Sequence, residues 1–184
     1  MHSMMMYTLS RILSLFLIAL MFASCSRKSD RELEQLAKNA EQQKNWAIAV
    51  DYYAEIVDRF PQTALAESSQ YRIATIYSND AELKDARRAV HSYLRFHALF
   101  PKSPRAPVAL FLAGFLYNNE LHSIDSARMV YQDYLQQYPD HELAASAKYE
   151  LETLGKDPNE LMKSKIGEAP AADDAKKGAK PSTR

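Results

Sequence analysis

From Glu32 to Gly155, apolar side chains recur at three- and four-residue steps, and no stretch alternates polar and apolar at every second residue. That period puts the apolar groups of a segment on one stripe of a helix, so the region reads as consecutive amphipathic helices rather than strands. The pattern predicts helices over 30–44, 46–60, 64–79, 83–99, 104–119, 123–138 and 141–154. Three of the breaks fall at an aromatic residue followed by proline: Phe60-Pro61, Phe100-Pro101 and Tyr138-Pro139. Proline has no N–H and disfavours helical backbone in the residue before it, so each pair stops a helix. Thr63 and Ser103 stand just beyond as helix starters, with Asp140 as the expected analogue in the last segment. Links such as Asn79-Asp80 and Asn118-Asn119 separate the other helices.

The three prolines stand 40 and 38 residues apart, and aligning on them exposes a repeat. Before each Pro the chain carries Ala49, Ala89 or Ala127, then Tyr53, Tyr93 or Tyr131, then Ile56, Phe96 or Tyr134. After it come Ala66, Ala106 or Ala144, then Ser69, Ala109 or Ala147, then Tyr71, Phe111 or Tyr149. The small residues let two helices approach, and each Tyr one turn later fills the gap beyond. The expected architecture is all-α, with antiparallel helix pairs stacked as a short solenoid.

This spacing resembles the tetratricopeptide repeat, whose second helix carries Ala, an aromatic four residues on, and Pro eight residues after that. Ala49-Tyr53-Pro61, Ala89-Tyr93-Pro101 and Ala127-Tyr131-Pro139 keep it. Leu36-Ala37-Ala40, Ile73-Ala74-Tyr77 and Ala113-Gly114-Tyr117 follow the first-helix pattern, with Ala40 in place of Tyr. The stretches FPKSPRAPVALFLAGFLYNN and DSARMVYQDYLQQYPDHELAASAKYEL are similar to the repeats of BamD-like outer-membrane lipoproteins and of the Tol-associated CpoB family. Three repeats and a closing helix over 32–155 are expected, fewer than the five of a full BamD-like array. Beyond Gly155 the chain turns to Lys, Asp, Ala and Pro with few large apolar residues, and 156–184 is expected to be a disordered tail.

The N-terminus carries different information. Arg11 precedes a stretch from Ile12 to Phe22 that is apolar but for Ser14, too short to cross a hydrocarbon core about 30 Å thick. Its length is that of a signal-peptide apolar region, and Ala23 and Ser24 lead to Cys25, the one cysteine of the chain. Phe22-Ala23-Ser24-Cys25 resembles a lipobox, with Phe where Leu is commoner. The resemblance implies a signal peptide over 1–24, cleavage before Cys25, lipid on that residue and a polar spacer over 25–31. Ser26, where Asp would retain a lipoprotein elsewhere, implies the outer membrane, lipid-anchored and on the periplasmic side; charged residues after the Cys leave surface display open.

Charge narrows the partners. Lys+Arg and Asp+Glu are both 23, so no electrostatic surplus is present to hold nucleic acid. The sequence contains no HExxH, no GxSxG and no paired cysteines, and His91, His97, His122 and His141 are scattered, so no metal, cofactor or catalytic residue is expected. The candidate site is instead a groove lined by the first helix of each pair. By register it presents Tyr71, Thr75 and Ser78, then Phe111, Phe115, Asn118 and Asn119, then Tyr149 and Thr153. Tyr71, Phe111 and Tyr149 recur at one repeat position, so two readings stand for them: partner surface, or core between repeats. Anchor and repeats together imply a lipid-anchored scaffold that binds other envelope proteins, in outer-membrane protein assembly. The alternatives are a Tol-associated, cell-wall or pilus-assembly accessory lipoprotein, a self-associating structural lipoprotein, or a small envelope enzyme.

Overall fold

A computed structural model of the chain describes residues 28–79 and 82–156. The segment read as signal peptide, Cys25 and nearly all of the expected tail lie outside them. Among the described residues are seven helices and no strand: α1 Asp30–Gln42, α2 Trp46–Arg59, α3 Ala64–Asn79, α4 Ala86–Leu99, α5 Ala106–Asn119, α6 Ile124–Gln137 and α7 Ala144–Thr153. Each helix packs on the next, and α1 also touches α3. The all-α solenoid of stacked helix pairs is the architecture that the repeat predicts.

Helix ends follow local chemistry. Ser29 caps α1 with a reciprocal box: its hydroxyl accepts from the Glu32 N–H at 3.2 Å, and its own N–H donates to the Glu32 carboxylate at 2.7 Å. The end of α1 falls two residues short of the expected one because Lys44 takes φ 56°, in the left-handed region, and Asn45 donates back to the Ala40 carbonyl at 2.8 Å. Asp85 is extended, and its carboxylate accepts from Arg87 N and Arg88 N at 3.0 Å each, so α4 begins after it rather than at 83. Thr63 does help start α3, accepting from Ala66 N at 3.1 Å. At the last junction the residue in that register is His141, whose Nδ1 accepts from Leu143 N at 3.2 Å; Asp140 makes no such cap.

The packing shows why small residues and tyrosines repeat. Ala37, Ala49, Ala74, Ala89 and Ala127 are fully buried where paired helices cross. Tyr53, Tyr93 and Tyr131 lie beside them and are buried too. Burial of each such ring removes a large apolar area from water, contributing roughly 1.5–3 kcal/mol. Three overlapping clusters result, one per pair, and Tyr77, Phe100, Leu94, Tyr117 and Val130 each pack against two of them.

Candidate functional site

Among the first helices of the pairs, α1 is tied to α3 and α5 to α7 by polar contacts at one repeat position. Arg72 of α3 grips Glu41 of α1 with two bonds, Nε to Oε1 at 2.7 Å and Nη2 to Oε2 at 2.9 Å. This fork geometry is the strong form of an ion pair, though solvent reaches the Arg72 side chain and reduces its worth. Two repeats later Asn118 of α5 donates to Glu150 of α7 at 3.3 Å. Tyrosines from the second helices meet the same seam: the Tyr53 hydroxyl lies near Glu41, and that of Tyr93 near Ser78. Burial, with Glu41 nearby, pushes the Tyr53 hydroxyl well above its ordinary range, and burial raises Tyr93 to about 12. The Tyr131 hydroxyl is buried with no partner among the described residues.

The predicted groove residues separate into three groups. Tyr71 and Phe111 pack sideways onto the following second helix. The Tyr71 ring meets Tyr93 at 5.8 Å and Phe96 at 5.2 Å, both edge-on, while Phe111 meets Tyr131 at 5.7 Å and Tyr134 at 6.0 Å. Arg105 lies over the Tyr71 ring, 5.2 Å from its centre. Ser78 and Asn118 belong to the polar seam. Phe115, Asn119 and Tyr149 are exposed, and Thr75 and Thr153 are half-buried. Asn119 donates to the Phe115 carbonyl at 3.0 Å. Thr75 and Thr153 turn their hydroxyls onto the Arg72 and Tyr149 carbonyls of their own helices, at 2.8 Å each. In repeat register Phe115 aligns with those two threonines, so α5 alone presents an aromatic ring at that place; the ring is 39% exposed.

Two hollows lie elsewhere, and periodicity along the chain did not point to either. One, of about 360 Å³, opens between α2 and α4 over Gln70 of α3, with Arg87, Arg88, His91 and Arg95 along one rim. Arg95 is spent on Asp58 at 2.9 Å, and Gln70 donates to the Ser92 carbonyl at 2.9 Å. The other, of about 420 Å³, lies at the turn between α4 and α5 among Leu99, Phe100, Pro101 and Pro104, with Lys102 beside it. Among the described residues no group of three or more His, Cys, Asp and Glu is arranged to hold a metal ion, and no helix is long and apolar enough to cross a membrane.

Residues 26–157 match the protein family YfiO, described as outer membrane lipoprotein. The outer membrane protein assembly factor BamD of Neisseria meningitidis serogroup B is 32% identical over 94 residues, a stretch covering 50% of this chain and 34% of that protein. The chain therefore matches about a third of the length of this curated relative.

Proposed function

This chain belongs to the YfiO family of outer membrane lipoproteins, and we propose that it is a lipid-anchored scaffold that binds other envelope proteins in outer-membrane protein assembly. The anchor in this reading is lipid on Cys25, on the periplasmic side of the outer membrane. The partner surface is the face of α1, α3, α5 and α7, centred on Phe115 and Asn119, with Thr75, Asn118 and Tyr149 around it. Tyr71 and Phe111 support that face from beneath.

The observation that carries the reading is the exposed Phe115 ring, on a helix that the Asn118–Glu150 bond ties to α7. Aromatic side chains, Phe among them, are enriched at protein interfaces. The similarity to a BamD protein is what supports assembly as the process. The role asks no bond-making of the protein, and none of the described residues is assigned one.

The test is a photoreactive residue in place of Phe115 or Asn119, activated in the cell, with mass spectrometry of what it traps. A crosslink to a barrel-assembly component is the expected result. Crosslinks confined to Tol or peptidoglycan-linked proteins would replace assembly with the accessory role, self-crosslinks alone would make the protein a structural oligomer, and no crosslink would place the partner surface on another face. Phe115→Ala should weaken the trapped complex about tenfold while lowering the unfolding midpoint only slightly, because the ring is 39% exposed and belongs to none of the three core clusters.

A further inference from the structure

We infer that the edge formed by the α2–α3 and α4–α5 turns is a lipid-contacting surface, with Leu99 entering the interfacial layer of a phospholipid bilayer and Lys102 and Arg105 at headgroup level. The inference rests on the anchoring through Cys25 proposed above, and three observations support it.

The first is the root of the tether. Lys28 is held at the far end of α2: its carbonyl accepts from Arg59 Nη2 at 2.8 Å, and its ammonium lies 5.2 Å from the Tyr52 ring centre. Three peptide links reach at most about 11 Å, so a lipid on Cys25 keeps this end of the molecule against the bilayer. The second is alternation. In stacked antiparallel pairs the α2–α3 and α4–α5 turns leave the bundle at the edge where α1 begins. Phe60 and Phe100 both pack on the first core cluster, and Ser103 bonds Glu67 in the first turn of α3 at 2.7 Å, so the two turns are contiguous.

The third is a break in the repeat. The residue before each aromatic-proline pair is Arg59, Leu99 or Gln137. Two copies carry a polar side chain there, and the middle copy carries a leucine that is 45% exposed beside an open hollow. A leucine flanked by long cationic side chains suits the boundary between acyl chains and headgroups, where the apolar group inserts and the cations stay in water. The acidic groups of this edge are accounted for in part: Glu67 is bonded to Ser103 and Asp58 to Arg95. Asp140 and Glu142 belong to the next turn, α6–α7, which confines the contact to the two turns nearest the tether.

The experiment couples the chain from Cys25 onward, through that thiol, to a maleimide lipid in phosphatidylcholine–phosphatidylglycerol vesicles, and measures hydrogen exchange. Amides within 99–105 should be protected relative to the uncoupled chain, and those at 120–123, on the opposite edge, should not. Leu99→Ser should abolish the protection at 99–105 and lower the vesicle partition of the uncoupled chain about tenfold; the side chain is exposed, so the variant folds. Protection at 120–123, none at 99–105, or an unaltered result in Leu99→Ser would overturn the inference. Lipidation in the cell is read separately, from the mass of the Cys25 peptide. An unmodified Cys25 would remove the anchoring reading, whereas the coupled chain reports the contact surface on its own.

Discussion

Gly114 is the place where the packing of this solenoid is tightest. Its counterparts in the first two repeats, Ala37 and Ala74, carry a methyl group against the partner helix, yet a Cβ on Gly114 would lie 2.9 Å from Cε1 of Tyr131, 3.1 Å from Cδ1 and 3.2 Å from Cζ. Real carbon contacts do not come that close. The ring has little room to move, because Tyr131 is 0% exposed and Phe111 packs on it at 5.7 Å. Gly114→Ala therefore forces α5 and α6 apart or tilts the ring. Such overpacking costs about 1–3 kcal/mol, and better helix propensity returns about 1 kcal/mol. The full burial of the ring puts the clash at the upper part of its range, so the net loss is on the order of 1–2 kcal/mol. In a domain of this size that lowers Tm by roughly 4–8 °C. Urea unfolding followed by far-UV circular dichroism, alone and in a Tyr131→Leu background, checks it. With the ring gone, Gly114→Ala should become neutral or stabilising. An unchanged or raised midpoint in the native background would refute the reasoning, as would a cost that persists in the Tyr131→Leu background.

Tyr131→Phe should stabilise the protein by about 1 kcal/mol, because it removes a buried hydroxyl that has no partner among the described residues, whereas Tyr93→Phe, whose hydroxyl lies near Ser78, should not stabilise it; chemical denaturation of both variants decides. Alkali should unfold the protein. Burial raises Tyr93 and Tyr134 to about 12, so the folded state holds protons that the unfolded chain releases near 10. Stability is thus full below about pH 10 and declines as pH rises towards 12, by on the order of 2–3 kcal/mol for Tyr93 alone. Tyrosinate absorbance that rises together with loss of helix would bear this out, and ionisation of all tyrosines in a fully helical protein would contradict it. Lys44→Gly should raise stability by about 0.5–1 kcal/mol, since a lysine at φ 56° pays a steric cost that glycine does not; a lowered urea midpoint would count against that account.

What the sequence makes legible here is whatever recurs with the helix. The period locates all seven helices, and the three aromatic-proline pairs locate the ends of α2, α4 and α6. The starts and ends that shift by a few residues depend on single backbone conformations, such as the left-handed Lys44 and the extended Asp85, which no periodicity encodes. Two further features are legible in the sequence. Ser29-Asp30-Arg31-Glu32 is a capping-box pattern, and counting two residues beyond each Pro leads to Thr63, Ser103 and His141, not to Asp140. The Arg72–Glu41 and Asn118–Glu150 ties were not readable, because they join side chains 31 and 32 residues apart whose meeting depends on how the pairs stack. The alternative readings of Tyr71 and Phe111 likewise turn on where the next helix lies.

Repetition inside one chain also supplies a comparison that a single unrepeated sequence lacks. Every copy of a repeat position meets nearly the same packing demand, so a copy that departs needs its own cause. Gly114 departs and is buried, and the Tyr131 ring explains it. Among the exposed large apolar side chains, Ile48, Leu99, Phe115 and Met129 stand in register with, respectively, Arg88 and Ser126, Arg59 and Gln137, Thr75 and Thr153, and Asp51 and His91. Folding does not require an apolar group at those places, since the other copies fold with polar ones, and exposing it to water is unfavourable. The core does not demand them, and single apolar side chains are tolerated on protein surfaces. Tyr149 is the exposed ring that does not depart. Its counterparts Tyr71 and Phe111 are covered by α4 and α6, and no helix follows α7 among the described residues to play that part. Its exposure is therefore a matter of position in the stack, whereas that of Leu99 and Phe115 is a matter of residue identity, and it is the second kind on which the proposed partner and bilayer contacts rest.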